Sequence, residues 1–461
     1  MVNKIQIKRG NFANIPTLDE GEFGFSTDTK QLHIGHTVDG NQEIATKAYV
    51  EEAVEYYDLI KADTIAPFGM MFDESDTTPS VTIVNADGEE FTPSDNFFNW
   101  HEIFNIGRCL IDPDDGNAIT MGTNMRGDGL SALDGTAGDV MTRFNNVKYR
   151  YELDGTKKYL WFAPFESNLA YYDYHPNCYQ GGNTTPHKHF YWGTYEASGY
   201  LDVATFKLRS ATGKVPVTGG VSYPDLPNTG RFTMDDAILY AGNKGPGWNI
   251  THVWSNALVQ SLIYMYYQTR DTQTALGQGV CNLTSGVDFA GVNTGASSID
   301  SNLDIYGNGV GTGTNGEVPV CWKVENLYGN VWKWLPGINQ YNSDQKTRLL
   351  NPDGSGTLAA TLADGDYTIL DGLCALTDGY YSGVFDEEYG AISFMPKTLT
   401  ASSDTGFTDY SYYPRYNPSI VRSGGGWYCG LCCGPGFRAA GASASSSGRT
   451  YGARLEFVKP A

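Results

Sequence analysis

The sequence has little of what would commit a chain to a membrane, to nucleic acid or to a disulfide framework. Its longest apolar run, Ser261-Leu262-Ile263-Tyr264-Met265-Tyr266-Tyr267, falls far short of the about twenty residues that a membrane-spanning helix needs. The opening Met1-Val2-Asn3-Lys4-Ile5-Gln6 lacks the apolar stretch of a signal peptide, so the chain is expected to be made in a cytoplasm and to stay soluble, with no membrane insertion. Cations are scarce: 31 Lys and Arg stand against 52 Asp and Glu, a formal charge of -21. A polyanion repels phosphate backbones, which argues against nucleic acid as a partner. Eight cysteines in 461 residues are too thinly spread for a disulfide framework and predict free thiols. Long helical patterns are missing as well, whereas 55 glycines and 31 tyrosines point to a loop-rich chain with many short strands. An apolar share of 41% and a charged share of 18% belong to a folded protein, and the length predicts two or three domains.

Along the chain, residues 1–45 read as short strands and turns. Ile5-Gln6-Ile7-Lys8-Arg9 alternates apolar with polar, as do Glu22-Phe23-Gly24-Phe25-Ser26 and Gln31-Leu32-His33-Ile34-Gly35, with a turn at Thr27-Asp28-Thr29-Lys30. So small a region buries little core alone, which favours association with further copies of itself. In residues 46–66, Tyr49, Val50, Ala53, Val54, Tyr57 and Ile60 recur at helical spacing behind a Thr46 N-cap, predicting a helical connector. Residues 67–461 show no linker, repeat or charge block and read as one large domain. Strands are expected at Ser80–Val84 and Lys157–Phe162, a helix at Asn256–Tyr266, and a polar excursion over 282–317.

Three sets of segments carry resemblances. Ile5–Gly10, Pro16–Asp28 and Leu32–Gly35 resemble the N-terminal module of phage tail proteins of the major tropism determinant family. That resemblance implies a trimeric β-prism that anchors the chain to the virion tail, with phage tail proteins as partners. Glu325-Asn326-Leu327-Tyr328-Gly329-Asn330-Val331-Trp332-Lys333-Trp334 resembles a segment of the formylglycine-generating-enzyme and C-type-lectin superfamily. There Gly329 supplies a backbone conformation closed to other residues, Asn330 suits a turn, and Val331, Trp332 and Trp334 supply apolar bulk. Arg422-Ser423-Gly424-Gly425-Gly426-Trp427 and Gly452-Ala453-Arg454-Leu455 resemble two further strands of that superfamily. The implied fold class is α+β: a small N-terminal β-prism-like module, then a large, loop-rich C-type-lectin-like domain.

Between those last two strands the composition is unusual. Residues 428–454 contain no acidic residue, where the whole-chain frequency would give about three, and they also lack Lys, Gln, Met and Trp. This pattern resembles the variable proteins of diversity-generating retroelements, in which adenines of the coding template are randomised. The resemblance implies a variable region at about 422–455, with Gly426, Tyr428, Cys429, Leu431, Cys432, Phe437, Ala439, Gly441, Ala442, Ser446, Arg449, Thr450 and Tyr451 as receptor-contacting positions. Gly425, Trp427, Gly434, Pro435, Arg438 and Arg454 are its fixed frame. Leu133–Met141, Tyr195–Ser198 and Gln273–Gly279 resemble the scaffold of the same proteins.

An enzyme is the main competing expectation. Formylglycine-generating enzymes oxidise a substrate cysteine with a copper-binding cysteine pair near this strand, and thiolates suit Cu(I). The family pair has four residues between its members, whereas Cys429 is followed by Cys432 and Cys433, so no catalytic residue is assigned. A zinc site lacks ligands, since no histidine follows His252 and the pair His187 and His189 is weak. No cofactor is implied. Asp112-Pro113-Asp114-Asp115-Gly116-Asn117 offers oxygens for a structural calcium but lacks EF-hand spacing. A bacterial surface adhesin with the same fold would need an export signal. The expectation is a non-enzymatic, homotrimeric receptor-binding protein on a virion tail, adhering to a bacterial cell-surface protein or glycan.

Overall fold

The structure, a computed structural model, describes residues 66–90, 103–111, 132–179, 184–219, 226–227, 230–283, 293–294 and 316–460, with the backbone of the strands at 7–10, 23–26, 31–36, 40–45, 119–121 and 309–313. The chain forms two compact units, 1–65 with 166–169, and 66–165 with 170–461. In the first, four short strands, Ile7–Gly10, Phe23–Ser26, Gln31–His36 and Gly40–Ala45, lie side by side in chain order. The first two are parallel, with Ile7 opposite Phe23, and the later pairs are antiparallel, with Phe25 opposite Leu32. Three of them fall on the alternating segments of the sequence. The turn at 27–30, the helix at 46–62 and the oxygen-rich loop at 112–117 lie outside the described residues.

The second unit is mostly β, and its helical share is smaller than an α+β description implies. A five-stranded sheet runs Asp173–Tyr174, Val147–Asp154, Lys157–Pro164, Phe68–Asp73, Thr82–Asn85. A six-stranded sheet is built around His189–Glu196, flanked by Asp139–Asn145 and by Arg454–Phe457 near the chain end. The largest sheet is centred on Trp332–Gln340, Ser419–Gly424 and Gly434–Ala442. The polar excursion ends in structure: Gly309–Gly313 pairs with Gly316–Cys321.

The expected helix is Val253–Tyr267, whose first thirteen residues are buried. It is a core helix, so its apolar residues run around the whole cylinder. His252 caps it, accepting from the Trp254 N–H at 3.2 Å, and Gln268 ends it in the left-handed region. A second helix, Met234–Gly242, was not anticipated. Thr233 and Asp236 form its capping box.

The Glu325–Trp334 segment ties the two large sheets together. Gly329 has φ +73°, and a Cβ there would sit 3.0 Å from the Val280 backbone. Asn330 donates to the Glu196 carboxylate, which also pairs with the buried Lys333 at 2.7 Å. Burial pulls the Lys333 pKa down while Glu196 supports its charge. Arg454 is buried and donates to the carbonyls of Gly193 (2.7 Å), Glu325 (2.6 Å) and Asn326 (3.0 Å). Burial lowers its pKa to about 10, so the guanidinium stays charged at neutral pH and ties together carbonyls of two separate segments.

Candidate recognition surface

Ser419–Gly424 pairs antiparallel with Trp332–Gln340 on one side and with Gly434–Ala442 on the other, with Ser423 opposite both Lys333 and Arg438. The connection between the last two strands, residues 425–433, leaves the sheet and contains a short turn at Gly430–Cys432. Its path is fixed by main-chain bonds. The Trp427 N–H donates to the Asn330 carbonyl (2.9 Å), the Leu283 N–H to the Trp427 carbonyl (2.7 Å), and the Gly430 N–H to the Cys281 carbonyl (2.8 Å). Gln273 adds a side-chain bond to the Gly430 carbonyl at 3.4 Å. Trp427 itself is buried against Val280, Val318 and Val331. The loop therefore keeps its course without using the exposed side chains at 428 and 431 as fillers, whereas Cys429 and Cys432 pack against the Phe437 core.

A second loop, 443–450, follows the strand. The Ser446 N–H donates to the Ser443 carbonyl, Ser447 Oγ accepts from the Phe232 N–H, and the Trp332 N–H donates to the Thr450 carbonyl at 2.7 Å. Tyr451–Gly452 then runs parallel to Trp332–Lys333.

These elements divide the thirteen expected contact positions. Tyr428 (43% exposed), Leu431 (52%) and Arg449 lie at the surface. Cys429, Cys432, Gly441, Ser446 and Tyr451 are half-buried. Gly426, Phe437, Ala439, Ala442 and Thr450 are buried, contrary to the expectation of an accessible face. The cause is the position of Gly434–Ala442 inside its sheet, between Ser419–Gly424 and Tyr410–Tyr412. Phe437 and Ala439 form a small core with Trp332, the Phe437 and Trp332 rings being 4.5 Å apart. Ala442 joins the main core with Trp334 and Ile420. Gly426 backs onto the Trp332 ring, 3.0 Å from where its Cβ would be.

Sequence reasoning missed the tyrosines beside this core. Tyr410 and Tyr412 pack on Phe437 at 5.9 and 5.6 Å, and Tyr380 packs on Tyr410 at 4.9 Å. All three are half-buried, and Tyr410 and Tyr412 pack against the Phe437 core. Their signal was present as Tyr410-Ser411-Tyr412, two aromatics at strand spacing. Tyr451 covers Arg422, whose guanidinium lies 3.9 Å from the ring centre.

The thiols are distinct from one another. All eight cysteines are free. Cys433 is buried and donates to the Gly426 carbonyl at 3.7 Å, and burial pushes its pKa well up. Cys429 is shifted down, first by a hydrogen bond from Cys433, with the Gly426 N–H adding to it at 3.3 Å. Cys432 is pushed up by burial and lies 3.6 Å from the Tyr380 hydroxyl. Among the described residues no group of three or more His, Cys, Asp or Glu is arranged to hold a metal ion. His187 and His189 both have lowered pKa values from burial, His189 to about 4. No helix of the described residues is long and apolar enough to cross a membrane.

Residues 5–36 match the family model described as the major tropism determinant N-terminal domain. No curated protein matches the chain in sequence. Solved structures similar to it include the major tropism determinant U1 variant, at 11% identity and TM-score 0.24, covering 98% of this chain and 99% of that one. The P3c variant gives 11% and 0.25 over 98% and 99%. PvdO from Pseudomonas aeruginosa gives 12% and 0.25 over 71% of this chain and 97% of that one. A TM-score of this size does not establish a shared fold. The N-terminal match falls on the segments Ile5–Gly10, Pro16–Asp28 and Leu32–Gly35, and through them the chain resembles the phage major tropism determinants.

Proposed function

We propose that this chain is a host-tropism protein of a bacteriophage tail that adheres to a bacterial surface receptor, protein or glycan, without catalysing a reaction. The observation that carries this reading is the loop 425–433, whose backbone is held by main-chain bonds while Tyr428 and Leu431 project from it. Tyrosine and arginine are anchor residues for recognition, Leu431 adds exposed apolar area, and Cys429 and Cys432 of the same loop pack, with the half-buried Tyr410 and Tyr412, against the Phe437 core. The acid-free composition of 428–454 supports adenine-directed diversification of the exposed positions on a C-type-lectin-like scaffold. The N-terminal match supports attachment to the tail, with three copies gaining avidity from weak single contacts.

The test is binding of the purified full-length chain to host cells, with phage adsorption as the competing process. The intact chain is expected to block adsorption, and a Tyr428→Ala/Leu431→Ala/Arg449→Ala variant to lose that ability. Equal blocking by both proteins would remove the surface from the reading.

A second reading, a cysteine oxidase of the formylglycine-generating kind, draws on the neighbouring thiols of Cys281, Cys429 and Cys433. These residues do not fit a copper pair. Cys429 is followed by Cys432 and Cys433, so the family's pair with four residues between its members is not reproduced. Conversion of a cysteine peptide by the purified chain would establish the oxidase and displace adhesion.

A further inference from the structure

At the open edge of the five-stranded sheet, where Asp173–Tyr174 pairs with Val147–Asp154, two adjoining hollows of about 540 and 450 Å3 share Tyr149, Asp173 and Glu388. None of the thirteen expected contact positions lines them. Their chemistry is aromatic and anionic. Tyr174 and Tyr389 wall the first, and Tyr151 and Tyr171 the second. Asp353 adds a carboxylate to the first and Glu152 to the second, against a single lining cation, Arg150. That guanidinium is occupied, lying 3.9 Å from the Trp161 ring centre and 3.9 Å from the Glu152 carboxylate. The hollows therefore present a net negative charge to whatever enters them.

Tyr149, Tyr151 and Tyr389 are held in the neutral form. Burial and the neighbouring Glu388 push the Tyr149 phenol up, and its hydroxyl donates to Glu388 Oε1 at 2.6 Å. Tyr151 is pushed up by burial and by Asp386, and Tyr389 by burial and Glu388. A neutral tyrosine ring attracts cations to its face. The protein's own chain supplies an instance at the rim, where the Lys148 ammonium lies 4.6 Å from the centre of the Tyr174 ring. Tyr171, which lines the second hollow, is 86% exposed and has φ +68°. That conformation belongs to the turn at Ala170–Tyr171, which leaves the ring in solvent.

We propose that these hollows form a second ligand site, one that takes an organic ammonium group. Tyrosine faces surround the cation, and Asp173 and Glu388 neutralise it. The site does not depend on the adhesion surface, so either can fail alone.

The probe is choline chloride, titrated into the full-length chain by calorimetry or by NMR of the tyrosine rings at constant ionic strength. Its uncharged carbon isostere, dimethylbutanol, is the comparison. Choline is expected to bind saturably and dimethylbutanol about tenfold more weakly or worse, the scale of one desolvated cation–ring contact. An Asp173→Asn/Glu388→Gln variant should lose about the same factor with an unchanged melting temperature. Tyr171→Ala, on a solvent-exposed side chain, should weaken choline binding without altering the fold. Absence of choline binding, equal binding of the two probes, or full affinity in both variants would overturn the proposal. A neutral hexose that displaces choline would overturn it too, reassigning the hollows to a saccharide.

Discussion

The loop 425–433 and the strand Gly434–Ala442 are consecutive, share one acid-free composition and were expected to vary alike, yet they use their side chains oppositely. In the loop, the Trp427 and Gly430 amides and the Trp427 carbonyl fix the backbone, so Tyr428 and Leu431 contribute little to its shape. In the strand, Phe437 and Ala439 fill the space between Trp332 and the tyrosines, so the side chains are the structure. What frees a position to vary is a backbone whose hydrogen bonds are already satisfied and a side chain with no cavity to fill. Composition identifies the region; tertiary contact decides which of its residues are at liberty.

The comparison breaks if the buried half tolerates change. Phe437→Ala should cost about 3–5 kcal/mol, the range for deleting a buried aromatic, read as the shift in denaturant midpoint. A loss as small as that of a surface residue would mean that the Trp332 and Phe437 rings are not packed as described. Ala439→Tyr tests the same core from the other side. A ring forced beside Phe437 should cost about 1–3 kcal/mol or more, whereas Leu431→Tyr in the loop should leave the midpoint where it is. Equal midpoints for these two tyrosine substitutions would erase the distinction.

Asp409, packed against the start of the strand, gives the buried half a pH signature between acid and neutral pH. Its carboxylate accepts from the Tyr264 hydroxyl and the Gly436 N–H, each at 3.0 Å. Gly434 lies so close that a Cβ there would overlap Asp409 Oδ1 at 1.5 Å. Burial raises the Asp409 pKa to about 7, Tyr264, Arg438 and the Gly436 amide pull it back, and Asp271 adds to the rise. The folded protein then binds a proton that the unfolded chain, with an ordinary carboxyl pKa of about 3.9, releases. The associated stability is complete below pH about 4 and is lost as pH rises through about 7. His189 acts in the opposite sense. With its pKa lowered to about 4, its contribution grows as pH rises from there toward the ordinary histidine value of about 6.5. Asp409→Asn removes only the first effect, so wild-type stability should fall relative to the variant between pH 4 and 7. Parallel curves would mean that Asp409 is ionised throughout.

Local signals were legible where local physics governs. Alternation located Ile7–Gly10, Phe23–Ser26 and Gln31–His36, and the sequence Lys157–Phe162 falls in a strand that runs on to Pro164. Helical spacing located Val253–Tyr267, although it could not show that the helix is buried nearly all round. Met234–Gly242 was overlooked even though its capping pair, Thr233 and Asp236, was on view as Thr-Met-Asp-Asp. The motif Glu325–Trp334 read correctly as scaffold, and the positive φ at Gly329 is what its sequence suggested. The burial of Gly426, Phe437, Ala439, Ala442 and Thr450 had no such signal. Phe437 looks like any exposed anchor until Tyr410–Tyr412 is seen beside it, and that neighbour comes from a separate, distant segment. Tyr171 and the hollows at Asp173 were equally invisible, because Glu388 and Asp353 reach them from more than 170 residues away.

The smallest expected effect sharpens the comparison most. Tyr428→Asn, Leu431→Asn and Arg449→Ser each change an exposed side chain on a backbone held by other groups. Each should move unfolding free energy by no more than about 0.5 kcal/mol, the usual span for surface substitutions. Because the three side chains are exposed and none of them fills the Trp332 core, the combined variant should stay within about 1.5 kcal/mol of the parent if the effects add. Receptor adhesion should behave differently. Removing an anchor such as Tyr428 from the proposed contact face should cost more than about 1 kcal/mol in binding, and on the proposed trimer that loss would multiply across the copies. Denaturation curves that coincide, set beside adsorption that collapses, would separate stability from recognition at these positions. A triple variant that melts early would instead show that the loop leans on its side chains after all, leaving no surface in the C-terminal stretch free to change partners.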